Sequence, residues 1–160
     1  MKASFYNGAT TVLLQGGHNP EIKLDYYIEI VRRVREEIPD LHLHAFSAPE
    51  ISAIAKYSRI RTREVLEKLW EAGLRTIPGG GAEVLSNRVR KKISPLKIDA
   101  DQWIRVTREA HEIGFKTTAT MMFGHLEEDE DIIEHLDRIR SLQDETGGFL
   151  AFIPWTFKPR

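Results

Sequence analysis

A chain of 160 residues is long enough for one domain, and the absence of cysteine excludes disulfides. Its apolar fraction of 41% is that of an ordinary globular protein, and its net charge of −1 excludes a global basic field that would hold nucleic acid or an anionic membrane. Since no apolar run approaches the roughly 20 residues of a membrane span and the N-terminus lacks an apolar signal core, we expect a cytoplasmic chain.

Five short apolar runs alternate with amphipathic helical stretches, which is typical of parallel α/β architecture. The predicted strands are residues 10–14, 41–46, 74–77, 115–123 and 149–153. Among the helices between them, one is expected to be capped by Thr62 and another by Asp99, with Gly114 ending the latter. The last helix, from about residue 129 to 144, is expected to bury Ile132, Ile133, Leu136 and Ile139.

Every predicted strand ends in a polar or glycine-rich tail. Tails after all strands favour a barrel, whose chemistry lies at the C-terminal ends of its strands, over an open sheet with one switch point. The sequence therefore predicts an α/β fold, a partial (β/α) barrel of about five parallel strands with helices outside. Because a complete barrel takes roughly 250 residues, residues 1–160 would be the central part of one, truncated at both ends. Its open strand edges would favour self-association.

The second strand carries two histidines one register apart. Alternation directs Leu41, Leu43 and Ala45 toward the helices, and His42 and His44 into the barrel interior. Such a pair could bind a metal, move protons, hold a polar substrate or be structural. A metal-dependent hydrolase would need further ligands from later strands, and only His125 falls near a strand end.

Glycines dominate the tails of the first and third strands. Gly16 and Gly17 would let a ligand or a neighbouring backbone approach closely, although an ordinary turn explains them too. In PGGGAE, Pro78 stops the strand and Glu83 is the only charge. A carboxylate there suits an ammonium group or ribose hydroxyls, so this tail favours a functional role.

The fourth and fifth strands end in hydroxyl and aromatic side chains. Thr118 and Thr120 share one strand face, either as lining of a polar site or as β-branched strand formers. Trp155 and Phe157 could wall an aromatic or nucleoside ligand, or pack in the core.

Taken in order, the segments LLQGGHNP, HLHAFSAPEI, TIPGGGAE, TTATMMFGH and LQDETGGFLAFIPWTF resemble the radical S-adenosylmethionine enzymes of the futalosine menaquinone pathway and their deazaflavin-synthase relatives. The resemblance runs from about residue 8 to residue 159. It is greatest to the dehypoxanthine futalosine cyclases, with the aminofutalosine synthases as the alternative. It implies a six-stranded partial barrel in which a CxxxCxxC loop after the first strand holds a [4Fe-4S] cluster. This chain would supply strands two to six and lacks that loop, so alone it would be inactive.

The resemblance also implies the cofactor and its contacts. The cofactor of the full-length enzyme would be S-adenosylmethionine, with its cluster ligands absent from this chain. Backbone carbonyls of the glycine-rich first tail would meet the methionyl amino group, and Glu83 would meet the ribose or amino end. The implied cofactor-binding residues are Gln15, Gly16, Gly17, Ser47 and Glu83.

The implied substrate is dehypoxanthine futalosine or a similar nucleoside-linked benzoate. A 5′-deoxyadenosyl radical would abstract hydrogen from its ribose, and attack on the benzoate ring would follow, with loss of an electron and a proton. His42 and His44 are the implied catalytic residues, one of them accepting that proton. The implied substrate contacts are Thr118, Thr120, Trp155 and Phe157. A non-catalytic half-barrel remains the third alternative.

Overall fold

The computed structural model describes residues 1–159. The helices are α1 (Lys2–Tyr6), α2 (Leu24–Glu37), α3 (Ala48–Ser58), α4 (Thr62–Glu71), α5 (Asn87–Ile93), α6 (Ala100–Ile113) and α7 (Asp129–Thr146). The strands are β1 (Thr11–Leu14), β2 (His42–Ala45), β3 (Thr76–Ile77), β4 (Lys116–Phe123) and β5 (Phe149–Thr156). They form one parallel sheet in the order β1-β2-β3-β4-β5. This is a half-barrel with helices outside, as predicted.

Side-chain alternation along β2 separates the two faces of the sheet. Leu43 and Ala45 are fully buried, whereas His42 is exposed and His44 half-buried. Leu43 belongs to the main hydrophobic core, together with α-helical residues such as Val31 and Leu66. The concave face therefore stays open to ligands, while the convex face is covered by helices.

Two of the three predicted helix ends are confirmed, and one is wrong. The Asp99 side chain accepts a hydrogen bond from the Gln102 N–H at 2.7 Å, and Gly114 adopts φ +118° after α6, as predicted. The prediction for Thr62 is wrong, because it is the first residue of α4 rather than the cap. Its hydroxyl donates to Glu109 at 2.6 Å instead.

The predicted buried face of α7 is wrong in two positions. Ile133 and Leu136 are 64% and 43% exposed, and the buried residues are Asp131, His135, Ile139 and Leu142. Polar contacts with the residues just before α5 determine which face of α7 is buried. Asp131 accepts a hydrogen bond from Ser86 Oγ at 2.6 Å, and His135 Nδ1 accepts one from the Leu85 N–H at 2.9 Å. An apolar pattern cannot reveal such contacts. Within residues 1–159, no helix is long and apolar enough to cross a membrane.

Candidate functional site

The tails of β1 and β2 are joined by a buried carboxylate. One oxygen of Glu50 accepts a hydrogen bond from the Gly16 N–H at 2.9 Å. Its other oxygen accepts two from Ser47, from the N–H at 2.8 Å and from the hydroxyl at 2.6 Å. Glu50 is only 7% exposed, so these donors replace its water. The Gly16 N–H is therefore not available to a ligand.

The third tail is fixed against β4 through Gly79. The Gly79 N–H donates to Thr118 Oγ1 at 2.9 Å, and its carbonyl accepts from Thr120 Oγ1 at 2.6 Å. A Cβ on Gly79 would collide with the backbone of Thr118. Both hydroxyls expected to contact substrate therefore hold the glycine tail in this structure, and their contact with substrate stays a prediction.

Gly80 and Gly81 bring the three tails together. The side-chain amide of Gln15 lies where a Cβ on Gly80 would stand, and Pro49 blocks a Cβ on Gly81 in the same way, while the Cβ of Ser47 would be in ordinary contact with the one on Gly80 at 3.6 Å. Gly81 also has φ +77°, which favours glycine. The structure thus brings together the predicted cofactor residues Gln15 and Ser47 by close approach to bare backbone.

A buried arginine holds the far side of this tail. Arg90 is 3% exposed and donates to the carbonyls of Gly81 at 3.1 Å, of Ala82, and of Ile98 at 3.1 Å. Burial lowers the pKa of Arg90. With no direct carboxylate contact among the described residues, the guanidinium serves as a set of fixed donors that positions the PGGGAE tail.

Glu83 offers a free buried oxygen at the mouth of the half-barrel. Its backbone has φ +42°, a conformation that non-glycine residues rarely adopt, and its carbonyl accepts the Met122 N–H at 2.9 Å. One carboxylate oxygen pairs with Lys97, while Oε2 is buried without a partner among residues 1–159. An unsatisfied buried acceptor is suited to a hydroxyl or ammonium donor from a ligand.

The two histidines on β2 differ in their partners. His42 lies 2.8 Å from Thr76 Oγ1 through Nε2 and 3.3 Å from Thr11 Oγ1 through Nδ1. His44 stacks on it at 6.0 Å, and its buried Nδ1 has no partner among residues 1–159. Burial, together with the adjacent His42, lowers the pKa of His44. The lowered pKa favours the neutral imidazole, whose unpartnered Nδ1 is open to a hydrogen bond from a ligand.

The metal-site alternative lacks the ligands that it needs. Within residues 1–159, no group of three or more histidine, aspartate, glutamate or cysteine side chains is placed to hold a metal ion. The His42–His44 pair consequently gains no third ligand from β4 or β5.

Aromatic side chains continue the open face on β5. Trp155 pairs with Met122 of β4, and alternation places it on the face that carries Thr118 and Thr120. Trp155 and Phe157 are 40% and 42% exposed, so neither is a core residue here.

Sequence reasoning missed three residues that shape the site, Glu50, Arg90 and Lys97. Glu50 had a readable signal, because Ser47 and Glu50 have the spacing of a capping box directly after a strand, and both hydrogen bonds of that box are present. A buried arginine and a loop lysine carry no such pattern.

The chain is similar to known proteins over most of its length. The model of the Radical SAM superfamily matches residues 1–139. The aminodeoxyfutalosine synthase of Thermus thermophilus is 45% identical over 159 residues, which are 99% of this chain and 43% of that protein. The cyclic dehypoxanthine futalosine synthase of Halalkalibacterium halodurans is 44% identical over 152 residues, or 95% of this chain and 41% of that protein.

A third group of relatives carries a different name. The 5-amino-6-(D-ribitylamino)uracil–L-tyrosine 4-hydroxyphenyl transferase 1 of Methanosarcina barkeri is 48% identical over 151 residues, or 94% of this chain and 40% of that protein. The chain thus spans less than half the length of these relatives. The resemblance expected from the strand tails is confirmed.

Among solved structures, methylornithine synthase superposes with a TM-score of 0.71 over 94% of this chain and 40% of that one. At 17% identity this likeness shows the fold alone. It agrees with a half-barrel whose strands run in sequence order.

Proposed function

Because the chain belongs to the radical SAM superfamily, we propose that it forms the cofactor- and substrate-facing part of an enzyme that cyclises dehypoxanthine futalosine in menaquinone biosynthesis. Residues 1–160 would be the central part of a longer barrel domain. The free Oε2 of Glu83 is the observation that carries the cofactor part of this proposal.

The residues present fit one of the two expected groups. A [4Fe-4S] cluster is held by cysteine thiolates, and this chain has none, so no electron-transfer step is assigned to it. S-adenosylmethionine does fit, since Gly16 and Gly17 have open space where a Cβ would stand and Glu83 has an unused acceptor. When bound beside a cluster, this cofactor supplies hydrogen-abstracting radical chemistry.

The chain's own residues bind, orient and accept a proton. Carbonyl oxygens of the QGG tail would take the methionyl ammonium group, and Glu83 Oε2 would accept a hydrogen bond from a ribose hydroxyl. His44 Nδ1, neutral and unpartnered, would accept the proton released when the ring product is formed. Trp155 would lie against the aromatic acid of the substrate and exclude water from it.

Two related reactions within the same superfamily are the alternatives to the cyclase reaction. Sequence identity does not separate the cyclase from the first of them, because relatives named for aminodeoxyfutalosine and for dehypoxanthine futalosine are 45% and 44% identical to this chain. The AFS and FIPWTF tails favour the cyclase. The deazaflavin-type reaction is the further alternative, since tyrosine transferases are equally similar.

Calorimetric titration of the chain with S-adenosylmethionine tests the cofactor part. We expect Glu83→Gln to weaken binding about tenfold, because a charge-assisted hydrogen bond is replaced by a neutral one. Glu36→Gln, on the exposed face of α2, is the matched control and should bind like the wild type. Equal affinity of both variants, or no binding by the wild type, would contradict the proposal.

Tryptophan fluorescence tests the substrate part. Trp155 is exposed whereas Trp103 is 1% exposed, so a ligand on the concave face should quench mainly Trp155. We expect dehypoxanthine futalosine to quench the wild type and not Trp155→Phe. Quenching by L-tyrosine instead would favour the transferase alternative.

A further inference from the structure

A basic trough lies on the outside of the half-barrel, between α3, α4 and α6. It consists of two open cavities of about 490 Å³ and 450 Å³ that share Ser52, Lys56 and Gln102. The larger cavity is also lined by Arg61 and Arg105. No residue of the larger cavity belongs to the site on the concave face, whereas the smaller one is also lined by Pro49 and Lys97, which contact the third tail of that site.

Three of the cations in the trough are free. Lys56, Arg61 and Arg105 are exposed and form no salt bridge with any other described residue. Nearby Arg63 is different, because it pairs with Glu112 at 2.6 Å and with a second glutamate on α4. The three side chains therefore carry positive charge that no described carboxylate neutralises by direct contact.

One carboxylate also lines the larger cavity. Glu109 accepts a hydrogen bond from the Thr62 hydroxyl at 2.6 Å through Oε2. It offsets one of the three free cations, so the cavity retains an excess of positive charge.

The N-terminus of α4 opens into the same cavity. This helix has ten residues, and Arg61, at its cap position, makes no side-chain capping hydrogen bond. The first N–H groups of a helix have no partner within it, and they carry the positive end of its dipole. Together with Thr62 and Arg63, which line the cavity, they form an anion-binding end.

Ser52 provides an independent indication of a ligand. It lines both cavities and is 7% exposed, and its hydroxyl is buried without a partner among residues 1–159. Buried hydroxyls are normally hydrogen-bonded, and leaving one unpaired is destabilising. A bound acceptor would satisfy it.

We propose that this trough binds a phosphate group, either free or as a monoester of a small molecule. The group would lie at the start of α4 between Arg61 and Arg105, with Lys56 and the Ser52 hydroxyl as further donors. A doubly charged phosphate matches the excess of cations and accepts several hydrogen bonds at once. The phosphate would lie in the larger cavity, which shares no residue with the site proposed for S-adenosylmethionine, so the two proposals are tested independently.

Titration of the ¹⁵N-labelled chain with inorganic phosphate, followed by amide chemical shifts, tests the proposal. We expect saturable shifts confined to the start of α4 and to the residues around Ser52 and Gln102. Arg61→Gln and Arg105→Gln should each weaken binding about three- to tenfold, as expected for loss of a charge-assisted contact. Arg32→Gln removes the same charge from an exposed position on α2 and should leave the affinity unchanged.

The Ser52→Ala variant distinguishes binding at this site from non-specific attraction to positive charge on the surface. It leaves every charge in place, so weaker phosphate binding in this variant would show that the buried hydroxyl takes part. Shifts spread over all basic residues, or equal affinity of the arginine variants and the control, would overturn the proposal. Repeating the titration with ribose 5-phosphate distinguishes the sources: tighter binding than inorganic phosphate assigns the site to a monoester, and equal or weaker binding to free phosphate.

Discussion

The carboxylate of Glu50 and the N–H of Gly16 are joined by a hydrogen bond of 2.9 Å across 34 positions of sequence. This contact couples the first turn of α3 to the tail of β1. The same side chain caps α3 through Ser47, so one buried group sets both the helix start and the position of the QGG tail.

Glu50→Gln should lower the free energy of unfolding by about 1–3 kcal/mol, because an amide cannot accept at both positions and leaves a buried donor unpaired. Urea unfolding measures this change. Glu36→Gln, an exposed change of the same kind, should have an effect within about 0.5 kcal/mol. If the two variants unfold alike, the Glu50 contacts do not hold the tails together.

Gly79→Ala should be far more harmful than Gly17→Ala. A Cβ at Gly79 meets the backbone of Thr118, which cannot move aside, whereas nothing lies within 4 Å of a Cβ at Gly17. Overpacking of this kind costs about 1–3 kcal/mol. Thermal unfolding of both variants measures the difference, and equal melting temperatures would contradict the close approach of β3 and β4.

How far the sequence could predict this molecule depends on the kind of signal. Period-two alternation on β2 and the glycine-rich tails follow directly from local chemistry, so the half-barrel and its open face could be predicted. The face of α7 could not, since Ile133 is exposed while His135 is fully buried against the Leu85 N–H. That contact spans 50 residues, and no local pattern encodes it.

Some features of the candidate site could likewise be predicted from the sequence, and others could not. Glu83 could be proposed because a lone charge follows three glycines. Its strained backbone and its pairing with Lys97 depend on a loop that folds back from residue 97, which only the three-dimensional structure brings near. The hydroxyls of Thr118 and Thr120 were visible as a polar line, but not as the clamp on Gly79.

The two histidines of β2 should respond differently to substitution. His42→Gln removes contacts to two threonine hydroxyls and should cost about 1 kcal/mol of stability. His44→Gln removes no side-chain hydrogen bond at Nδ1, so its stability should stay within about 0.5 kcal/mol of the wild type. Urea unfolding of both variants tests this, and a larger loss at His44 would assign it a structural role.

Stability should fall as the pH is lowered from about 6.5 to about 4. Burial lowers the pKa of His111 and of His135 to about 4, with smaller effects from Lys116 and Arg90 respectively. Since the ordinary value is near 6.5, the unfolded chain binds more protons than the folded chain throughout this window. The contribution of these two histidines to stability is therefore complete above about pH 6.5 and is lost as the pH falls to about 4.

His111→Gln should flatten this pH dependence, because the substituted side chain no longer titrates. Urea unfolding at pH 7, 6 and 5, compared with the exposed variant His18→Gln, isolates the slope from any constant loss of stability. An unchanged slope in His111→Gln would show that this histidine does not contribute.

The chain should self-associate through β5. Among residues 1–159 this strand pairs only with β4, and Leu150, Phe152 and Ile153 on it are 61%, 40% and 45% exposed. An uncovered apolar edge strand offers unpaired backbone groups to a second copy. Sedimentation velocity should therefore show a weight-average mass that rises with concentration.

Ile153→Lys should abolish the rise by placing a charge on the edge, whereas Ile133→Lys, an equally drastic change on exposed α7, should not. A wild-type chain that stays monomeric at every concentration would show that the edge is not an interface.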